Sequence, residues 1–224
     1  LAKFRQAGIS TWMLTGDKEE TAVNVGFAAG LLTNDTQRLL LTSGNTSKLM
    51  TQIRDCKNLQ LKTHASTDSC IIVSGDALQA IMADTNLKDL FLGLTKDSKS
   101  LISCRMSPKQ KSDLVRFMKH HNSTKTVLAV GDGANDVSMI TAAHVGVGIS
   151  GMEGSQAVSA SDYSISEFQQ LAPLILFHGR ECYRRNSYMI TYNFYKNIIY
   201  SMPLVCTSWI SGWSGQTIYD IYLL

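Results

Sequence analysis

The sequence predicts an α/β fold: a partial, doubly wound parallel sheet, followed by a stalk and a transmembrane helix. Short apolar runs alternate with helix-forming segments over residues 1–177, and this alternation is typical of a parallel sheet with right-handed crossovers. An aromatic and aliphatic run over 189–210, in which Lys196 is the only charged residue, follows a basic stretch. Such a run is long enough to cross about 30 Å of hydrocarbon as a helix.

Composition narrows the class of protein. The chain of 224 residues is 44% hydrophobic and 17% charged, which is ordinary for a globular protein. A net charge of +3 is too small to indicate a nucleic-acid partner, and we expect none. The five cysteines are widely spaced, with no Cys-x-x-Cys pair. This spacing argues against a zinc site or a disulfide framework and fits a reducing compartment.

The first 30 residues predict a helix end, a strand and a second helix. Leu1–Ala7 is a helix end with Gly8 as its C′ residue. Ile9–Leu14 is a strand, and Asp17 followed by Glu20 matches a capping box. The next helix would then run over 18–29 and end at a glycine.

The turn Thr15-Gly16-Asp17 follows the first strand and precedes a helix. A hydroxyl and free backbone N–H groups at a helix start suit a phosphate oxygen. Taken alone, the tripeptide is more often a purely structural turn.

Residues 31–100 carry the weakest signals. We interpret them as variable surface insertions in the same domain, because polar stretches separate their apolar segments. His64 and Asp76 have no partners at metal-ligand spacing and are interpreted as surface residues. Strand-like runs are expected at Leu39–Leu41 and Ile71–Val73, and helices near Lys48–Asp55, Ala77–Met82 and Leu87–Leu92.

A strand over Leu101–Arg105 is followed by a strong helix start. Ser107 is an N-cap, Pro108 is the first helical residue, and Gln110 completes a capping box. The helix runs to about residue 120, with Lys111 in its first turn. A cation there opposes the helix dipole. Lys111 is therefore either a solvated surface lysine or a group that faces an anion. In the second case we expect its removal to leave the fold intact or slightly more stable, because a cation at the positive end of the helix dipole is removed.

The loop Gly131-Asp132-Gly133-Ala134-Asn135-Asp136 follows a strand over Val127–Val130, which we expect to be buried on both faces. Two carboxylates at the carboxyl end of a strand suit Mg²⁺, which favours one or two carboxylates together with waters and phosphates. The alternative is a glycine turn with capping carboxylates. A helix over Val137–Ala143 and a strand over Val145–Ile149 follow.

The last 47 residues, 178–224, predict a basic stalk and a membrane helix. The arginines before the apolar run place its amino end on the cytoplasmic side. Asn193 and Pro203 make the run polar for a span, so a buried core helix stays an equal alternative. Lys196 is an isolated charge within it, and we expect it to lie inside the membrane.

Several motifs resemble the P-type ATPases, whose catalytic domain is haloacid-dehalogenase-like. These motifs are Thr15–Lys18, Cys104–Pro108 and Gly131–Val137. Ile149–Tyr163 and Phe194–Asn197 are similar to the phospholipid-flippase branch in particular. The resemblance implies an internal piece of such an enzyme, with parts of the phosphorylation domain at 1–30, 31–100 and 101–177, a stalk at 178–188, the fifth transmembrane helix at 189–210, and a loop with the start of the next span at 211–224.

The resemblance also implies a role for each matching residue. The substrate would be ATP and the cofactor Mg²⁺. Thr15 and Gly16 would hold phosphoryl oxygens, Asp17 would orient the nucleotide, and Arg105 would approach it. Lys111 would neutralise the transferring group, Asn135 would bond the phosphate, and Asp132 and Asp136 would hold the metal. Lys196 and Asn197 would couple transport of a phospholipid to phosphorylation.

The family's nucleophilic motif Asp-Lys-Thr-Gly-Thr is absent from this sequence, so we expect the chain alone to be inactive. The parent would be an integral membrane protein with a cytosolic catalytic part, in the plasma membrane or in Golgi or endosomal membranes, with an accessory beta subunit as in flippases. Two alternatives stay open: a soluble phosphatase of the same superfamily, and a silent ATPase-like module that regulates a fused domain.

Overall fold

The computed structural model describes residues 1–62, 68–121, 125–151 and 155–214. They divide into two compact units, Leu1–Gln169 and Gln170–Leu224, which are treated separately. Some sequence-based expectations lie outside the described residues: the surface position of His64, and the loop and apolar segment after residue 214.

The first unit is an α/β domain whose described strands form two sheets, both entirely parallel. The sheet orders are β1-β4-β3-β2 and β5-β6-β7. This confirms the α/β part of the predicted fold class, with its parallel sheet. The strands are β1 (Thr11–Leu14), β2 (Gln37–Leu41), β3 (Ser69–Ser74), β4 (Ser100–Cys104), β5 (Leu128–Gly131), β6 (Val145–Ile149) and β7 (Tyr163–Ile165). The helices are α1 (Ala2–Gln6), α2 (Glu19–Ala28), α3 (Thr46–Lys62), α4 (Gly75–Ala83), α5 (Thr85–Asp97), α6 (Pro108–His121), α7 (Val137–Ala142) and α8 (Gln156–Ser159).

The larger sheet is covered on both faces, as strand alternation requires. Ile71, Val73 and Leu101 point into a core built with α3, α4, α5 and α6. The intervening Ile72 and Ile102 point the other way, into a smaller core built with α2. Because β3 and β4 are buried along their whole length, they are the continuous apolar strands expected at the centre of a parallel sheet.

The interpretation of residues 31–100 as surface insertions is wrong. β2 and β3 belong to the larger sheet, and β3 lies between β4 and β2. Phe91 and Leu87 of α5 are fully buried in the main core. The polar stretches between the elements hid this, because short buried segments carry little periodicity of their own. Asp76 is exposed, as predicted.

The strand before the Gly-Asp-Gly loop is also not as predicted. β5 alternates between exposed and buried positions, and Leu128 is 36% exposed. Among the described residues β5 pairs only with β6, on one side. It is therefore an edge strand, and so is β1, whose four residues are all half-buried.

The predicted glycine stops of α1 and α2 are confirmed. Gly8 and Gly30 adopt φ values of 74° and 71°. After them, Ile9 N–H donates to Phe4 at 2.9 Å and Leu31 N–H donates to Gly26 at 2.9 Å. These bonds satisfy carbonyls that the helix ends leave unpaired, and glycine adopts the required conformation without a Cβ penalty.

The second unit contains a π-helix over Pro173–Gly179 and one long helix, α9, over Arg180–Ile210. The predicted stalk and the predicted span over 189–210 are thus parts of one continuous helix, with Pro203 inside it. In the part of the chain that the structure describes, none of the helices combines the length and the apolar character needed to cross a membrane.

Candidate functional site

The loops that follow β1 and β4 are joined by backbone hydrogen bonds. Thr15 N–H donates to Ser103 at 2.9 Å, and Met106 N–H donates to Thr15 at 3.1 Å. Arg105 N–H donates to the carbonyl of Asp17 at 2.8 Å. The carboxyl ends of the two strands therefore present one continuous surface, which is where open parallel sheets bind ligands.

The predicted capping box at Asp17 is wrong. The N-cap of α2 is Lys18, and it makes no side-chain cap. The Asp17 carboxylate instead accepts a hydrogen bond from the Thr15 hydroxyl at 2.8 Å, and Asp17 N–H donates a hydrogen bond to Thr15 Oγ1 at 3.2 Å. This local pair outcompetes the helix start for the carboxylate, as short polar side chains often do. It keeps the half-buried Thr15 hydroxyl and the exposed Asp17 carboxylate at the mouth of the loop.

Arg105 has a backbone φ of 53°. A side chain with Cβ rarely occupies this region, and such residues cluster at ligand sites, where the surrounding structure holds them. The bond from Arg105 N–H to Asp17 is part of that support. Arg105 itself is exposed, so its guanidinium is free to approach an anion at the loop surface.

Lys111, in the first turn of α6, forms an ion pair with Asp136, at the end of the Gly-Asp-Gly-Ala-Asn-Asp loop. Its Nζ lies 2.9 Å from Asp136 Oδ1, and the two side chains are only 12% and 15% exposed. The interpretation of Lys111 as a solvated surface lysine is therefore wrong. The anion that its unfavourable helix position required is Asp136.

The predicted capping box at the start of α6 is confirmed. Ser107 N–H donates to Gln110 Oε1 at 2.9 Å, and Gln110 N–H donates to Ser107 Oγ at 3.3 Å. Pro108 is the first residue of α6, as expected. Ser138 of α7 donates its hydroxyl to the Pro108 carbonyl at 3.1 Å, which holds the same turn against the Gly-Asp-Gly loop.

Gly131 leaves the space that Asp136 occupies. A Cβ at residue 131 would lie 2.4 Å from Asp136 Cβ and 2.8 Å from its Oδ2, closer than real atoms approach. The glycine at the end of β5 is thus required by packing. The segment Ala134–Asp136 is a 3-10 turn, and it turns Asp136 back over Gly131 toward α6.

Asp132 and Asn135 are exposed on the same loop. Among the described residues, Asp132 has no ion-pair partner, and no cluster of three His, Cys, Asp or Glu side chains could enclose a metal. One free carboxylate still fits Mg²⁺, which keeps several waters and shares its coordination with substrate phosphates. Asp136, with one oxygen on Lys111, is less available than Asp132.

Cys104 ends β4, directly before Arg105. Burial raises the pKa of its thiol, and the negative charge of Glu19 raises it further. Burial raises the pKa of Cys56 and of Cys70 as well. These three thiols stay protonated at neutral pH and are poor nucleophiles.

The other two predicted residues, Lys196 and Asn197, lie on α9 in the second unit, and both are exposed. The Asn197 carbonyl accepts a hydrogen bond from Ser201 Oγ at 2.6 Å. Large apolar side chains along the same helix are also exposed: Tyr192, Phe194, Tyr195, Ile198, Ile199 and Met202.

The chain matches known proteins over its whole length. Residues 158–224 match a family described as the C-terminal region of phospholipid-translocating P-type ATPases. The chain is 43% identical to probable phospholipid-transporting ATPase 5 of Arabidopsis thaliana, over 99% of the chain and 19% of that protein. It is 40% identical to phospholipid-transporting ATPase VD of Homo sapiens, over 99% of the chain and 17% of that protein, and 40% identical to phospholipid-transporting ATPase DRS2 of Saccharomyces cerevisiae, over 99% and 16%.

By this sequence similarity the chain belongs to the P-type ATPases. The relatives that it matches over 99% of its length are phospholipid-transporting members of that family. It spans about a fifth of the length of the curated relatives it matches, for example 19% of one from Arabidopsis thaliana.

Proposed function

We propose that this chain is part of an ATP-driven phospholipid translocator that works through an aspartyl-phosphate intermediate. The observation that carries the proposal is the largely buried pair of Lys111 and Asp136, beside one loop that holds the half-buried Thr15 and another that exposes Asp132. Phosphoryl transfer needs positioning and charge neutralisation rather than covalent help from many groups. The arrangement offers a cation, a free carboxylate and hydroxyl and amide donors.

Each residue has a role in that chemistry. Thr15 would turn its hydroxyl proton from Asp17 to a phosphoryl oxygen when the substrate binds, and the N–H of Gly16 would donate beside it. Asp17 would orient the nucleotide. Lys111 neutralises charge on the transferring group, with Asp136 fixing its ammonium. Asp132 would hold Mg²⁺, which supplies charge neutralisation on the phosphates, and Asp136 would support that site. Asn135 donates to the phosphate, and Arg105 contacts the nucleotide.

The nucleophilic aspartate would come from outside this chain. We infer that the two sheets are halves of one haloacid-dehalogenase-like sheet, joined by a strand that carries Asp-Lys-Thr-Gly-Thr. Two observations support this inference. β1 and β5 are sheet edges that each lead into a site loop. Leu14, at the end of β1, packs against the main core and also against the cluster behind β5.

The transport part of the proposal concerns α9. In the full-length protein, residues 189–210 would lie in the membrane, where the exposed aromatic and aliphatic side chains would face lipid or other helices. Lys196 and Asn197 would couple phospholipid movement to dephosphorylation. An accessory beta subunit, and residence in the plasma membrane or in Golgi or endosomal membranes, belong to the same proposal.

The test is transport by the full-length protein in vesicles that contain fluorescent phospholipids. ATP and Mg²⁺ should move labelled lipid between leaflets, whereas the 224-residue chain alone should hydrolyse neither ATP nor a small phosphate ester. Hydrolysis of a small phosphate ester by the chain alone would instead favour the soluble phosphatase. No phosphorylation and no transport by the full-length protein would favour the silent regulatory module.

A further inference from the structure

Gln110 makes one contact that its capping role does not require. A residue at the third position of a capping box needs only an acceptor, which Gln110 supplies through Oε1 to Ser107 N–H. Its Nε2 also donates to the carbonyl of Gly75 at 3.1 Å. Gly75 lies 35 residues earlier in the chain, at the start of α4. The side-chain amide therefore joins the first turn of α6 to the first residue of α4.

Gly75 packs tightly against the backbone at Arg105 and against the side chain of Gln110. A Cβ at this position would lie 2.4 Å from the carbonyl oxygen of Arg105 and 3.1 Å from Gln110 Oε1. The carbonyl at Arg105 belongs to a residue whose φ is 53°. The start of α4 thus supports the unusual backbone at Arg105 and the first turn of α6 together.

These contacts fix the residue next to Gln110. Lys111 reaches Asp136 at 2.9 Å only while the first turn of α6 keeps its position. Gln110 holds that turn from the β3 side, and Ser138 holds it from the β5 side through the Pro108 carbonyl. A shift of about 1 Å in a catalytic group can lower a rate on the order of 100-fold.

We propose that Gln110 is a positioning residue for Lys111, acting through its amide donor to Gly75. The proposal rests on the proposed function of Lys111 in phosphoryl transfer. It also gives the segment over 31–100 a role at the site, since the acceptor at Gly75 comes from that segment.

Two substitutions at residue 110 test the donor. Gln110→Glu keeps the acceptor for Ser107 N–H and suits the helix dipole, but it loses the donor and turns a carboxylate toward the Gly75 carbonyl. Gln110→Met loses the donor without adding charge. Ser107→Ala is the matched control, because it removes the other half of the capping box and leaves the contact with Gly75 intact.

The measurement is the rate of phosphoenzyme formation by the full-length protein at saturating ATP and Mg²⁺. Both residue-110 variants should be slower by about 10- to 100-fold, with the KM for ATP unchanged. Their rates should recover neither at higher Mg²⁺ nor at higher ATP. Ser107→Ala should lower the melting temperature and leave the rate within about twofold of wild type.

A double-mutant cycle with Lys111→Ala gives the sharpest readout. If Gln110 acts through Lys111, adding Gln110→Glu to Lys111→Ala should cause no further loss of rate. Additive losses would overturn the proposal. So would a wild-type rate in either residue-110 variant, an equal loss in Ser107→Ala, or a Gln110→Glu protein that does not fold.

A wild-type protein that forms no phosphoenzyme would instead contradict the proposed function. The structure of the Gln110→Glu full-length protein then decides the positioning role. A lengthened Lys111–Asp136 separation would support it, and an intact pair would overturn it.

Discussion

Lys111 Nζ lies 2.9 Å from Asp136 Oδ1, and both side chains are largely withdrawn from solvent. The pair joins the first turn of α6 to the end of the Gly-Asp-Gly-Ala-Asn-Asp loop. Asp136 provides the anion that a lysine at the positive end of a helix requires. Lys111 in turn provides the cation toward which the Asp136 carboxylate turns as it packs over Gly131.

The pair changes what loss of the lysine should do to stability. Lys111→Met leaves the Asp136 carboxylate charged, largely buried and without its ion-pair partner. We therefore expect the free energy of unfolding to fall by about 1–3 kcal/mol. The sequence alone suggested no loss, because it did not reveal the partner. Asp136→Asn added to Lys111→Met should restore much of the loss, as urea unfolding of the chain in detergent would measure. Equal stabilities for wild type and the single variant would contradict this account.

Gly131→Ala should displace Asp136, because the new Cβ would lie 2.4 Å from Asp136 Cβ. We expect phosphoenzyme formation by the full-length protein to fall by about tenfold or more, since the lysine loses its anchor. Gly93→Ala is the control. It adds a methyl to the interior of α5, with only Lys57 Nζ within reach at 3.8 Å, and should stabilise the helix by about 0.5–1 kcal/mol. Normal activity in Gly131→Ala would show that Asp136 need not be fixed.

The reactivity of the cysteines toward alkylating reagents should follow their burial. Cys182 and Cys206 are exposed, whereas Cys56, Cys70 and Cys104 are buried, and burial raises the pKa of those three thiols. Iodoacetamide at neutral pH should label the exposed pair and spare the buried three until urea unfolds the chain. Peptide mapping by mass spectrometry measures this.

The same pKa shifts predict a direction with pH. A thiol whose pKa is higher in the folded state stabilises the fold below its unfolded pKa, and that contribution is lost as pH rises through the folded value. The free energy of unfolding should therefore fall as the pH rises from neutral to alkaline. The fall should be smaller in a Cys70→Ala variant, with each protein compared with its own value at neutral pH. Rapid labelling of Cys104 in the folded chain would contradict the burial.

Lys196→Ala in the full-length protein should leave phosphoenzyme formation intact and weaken lipid-stimulated dephosphorylation. A lysine near a bilayer centre costs roughly 2.5–3.5 kcal/mol on insertion scales, so an intramembrane lysine is usually kept for a function. Arg185→Ala, an exposed charge earlier on α9, is the control and should leave the lipid response near wild type. An unchanged response in Lys196→Ala would make the residue a snorkelling anchor only.

The site loops could be predicted from sequence because their signals are local. Ser107, Pro108 and Gln110 lie within four residues of one another, and the glycine stops at Gly8 and Gly30 depend on nothing distant. The polar loops after β1 and β5 are likewise marked by the residue types themselves. An anion that faces Lys111 was one of two alternatives that the sequence left open, and its identity as Asp136 could not be predicted.

What failed depends on contacts between distant segments. The burial of β3 follows from β2 and β4 on its two sides, which a run of six residues does not specify. Asp17 had two acceptable partners, and only the folded loop shows that Thr15 binds it. The bond from Gln110 to Gly75 spans 35 residues, and its only trace in the sequence is a glycine after an apolar strand.

The central claim is that these loops transfer a phosphoryl group from ATP, and the most direct measurement is acid-stable phosphoenzyme formed by the full-length protein from labelled ATP. Wild type should form a Mg²⁺-dependent phosphoenzyme that hydroxylamine cleaves, as an acyl phosphate requires, and phospholipid should speed its decay. Asp132→Asn, which keeps the shape and removes the charge, should form little of it, with only partial recovery at high Mg²⁺. Asp76→Asn, an exposed carboxylate after β3, should match wild type. Normal phosphoenzyme in Asp132→Asn at low Mg²⁺ would contradict the account.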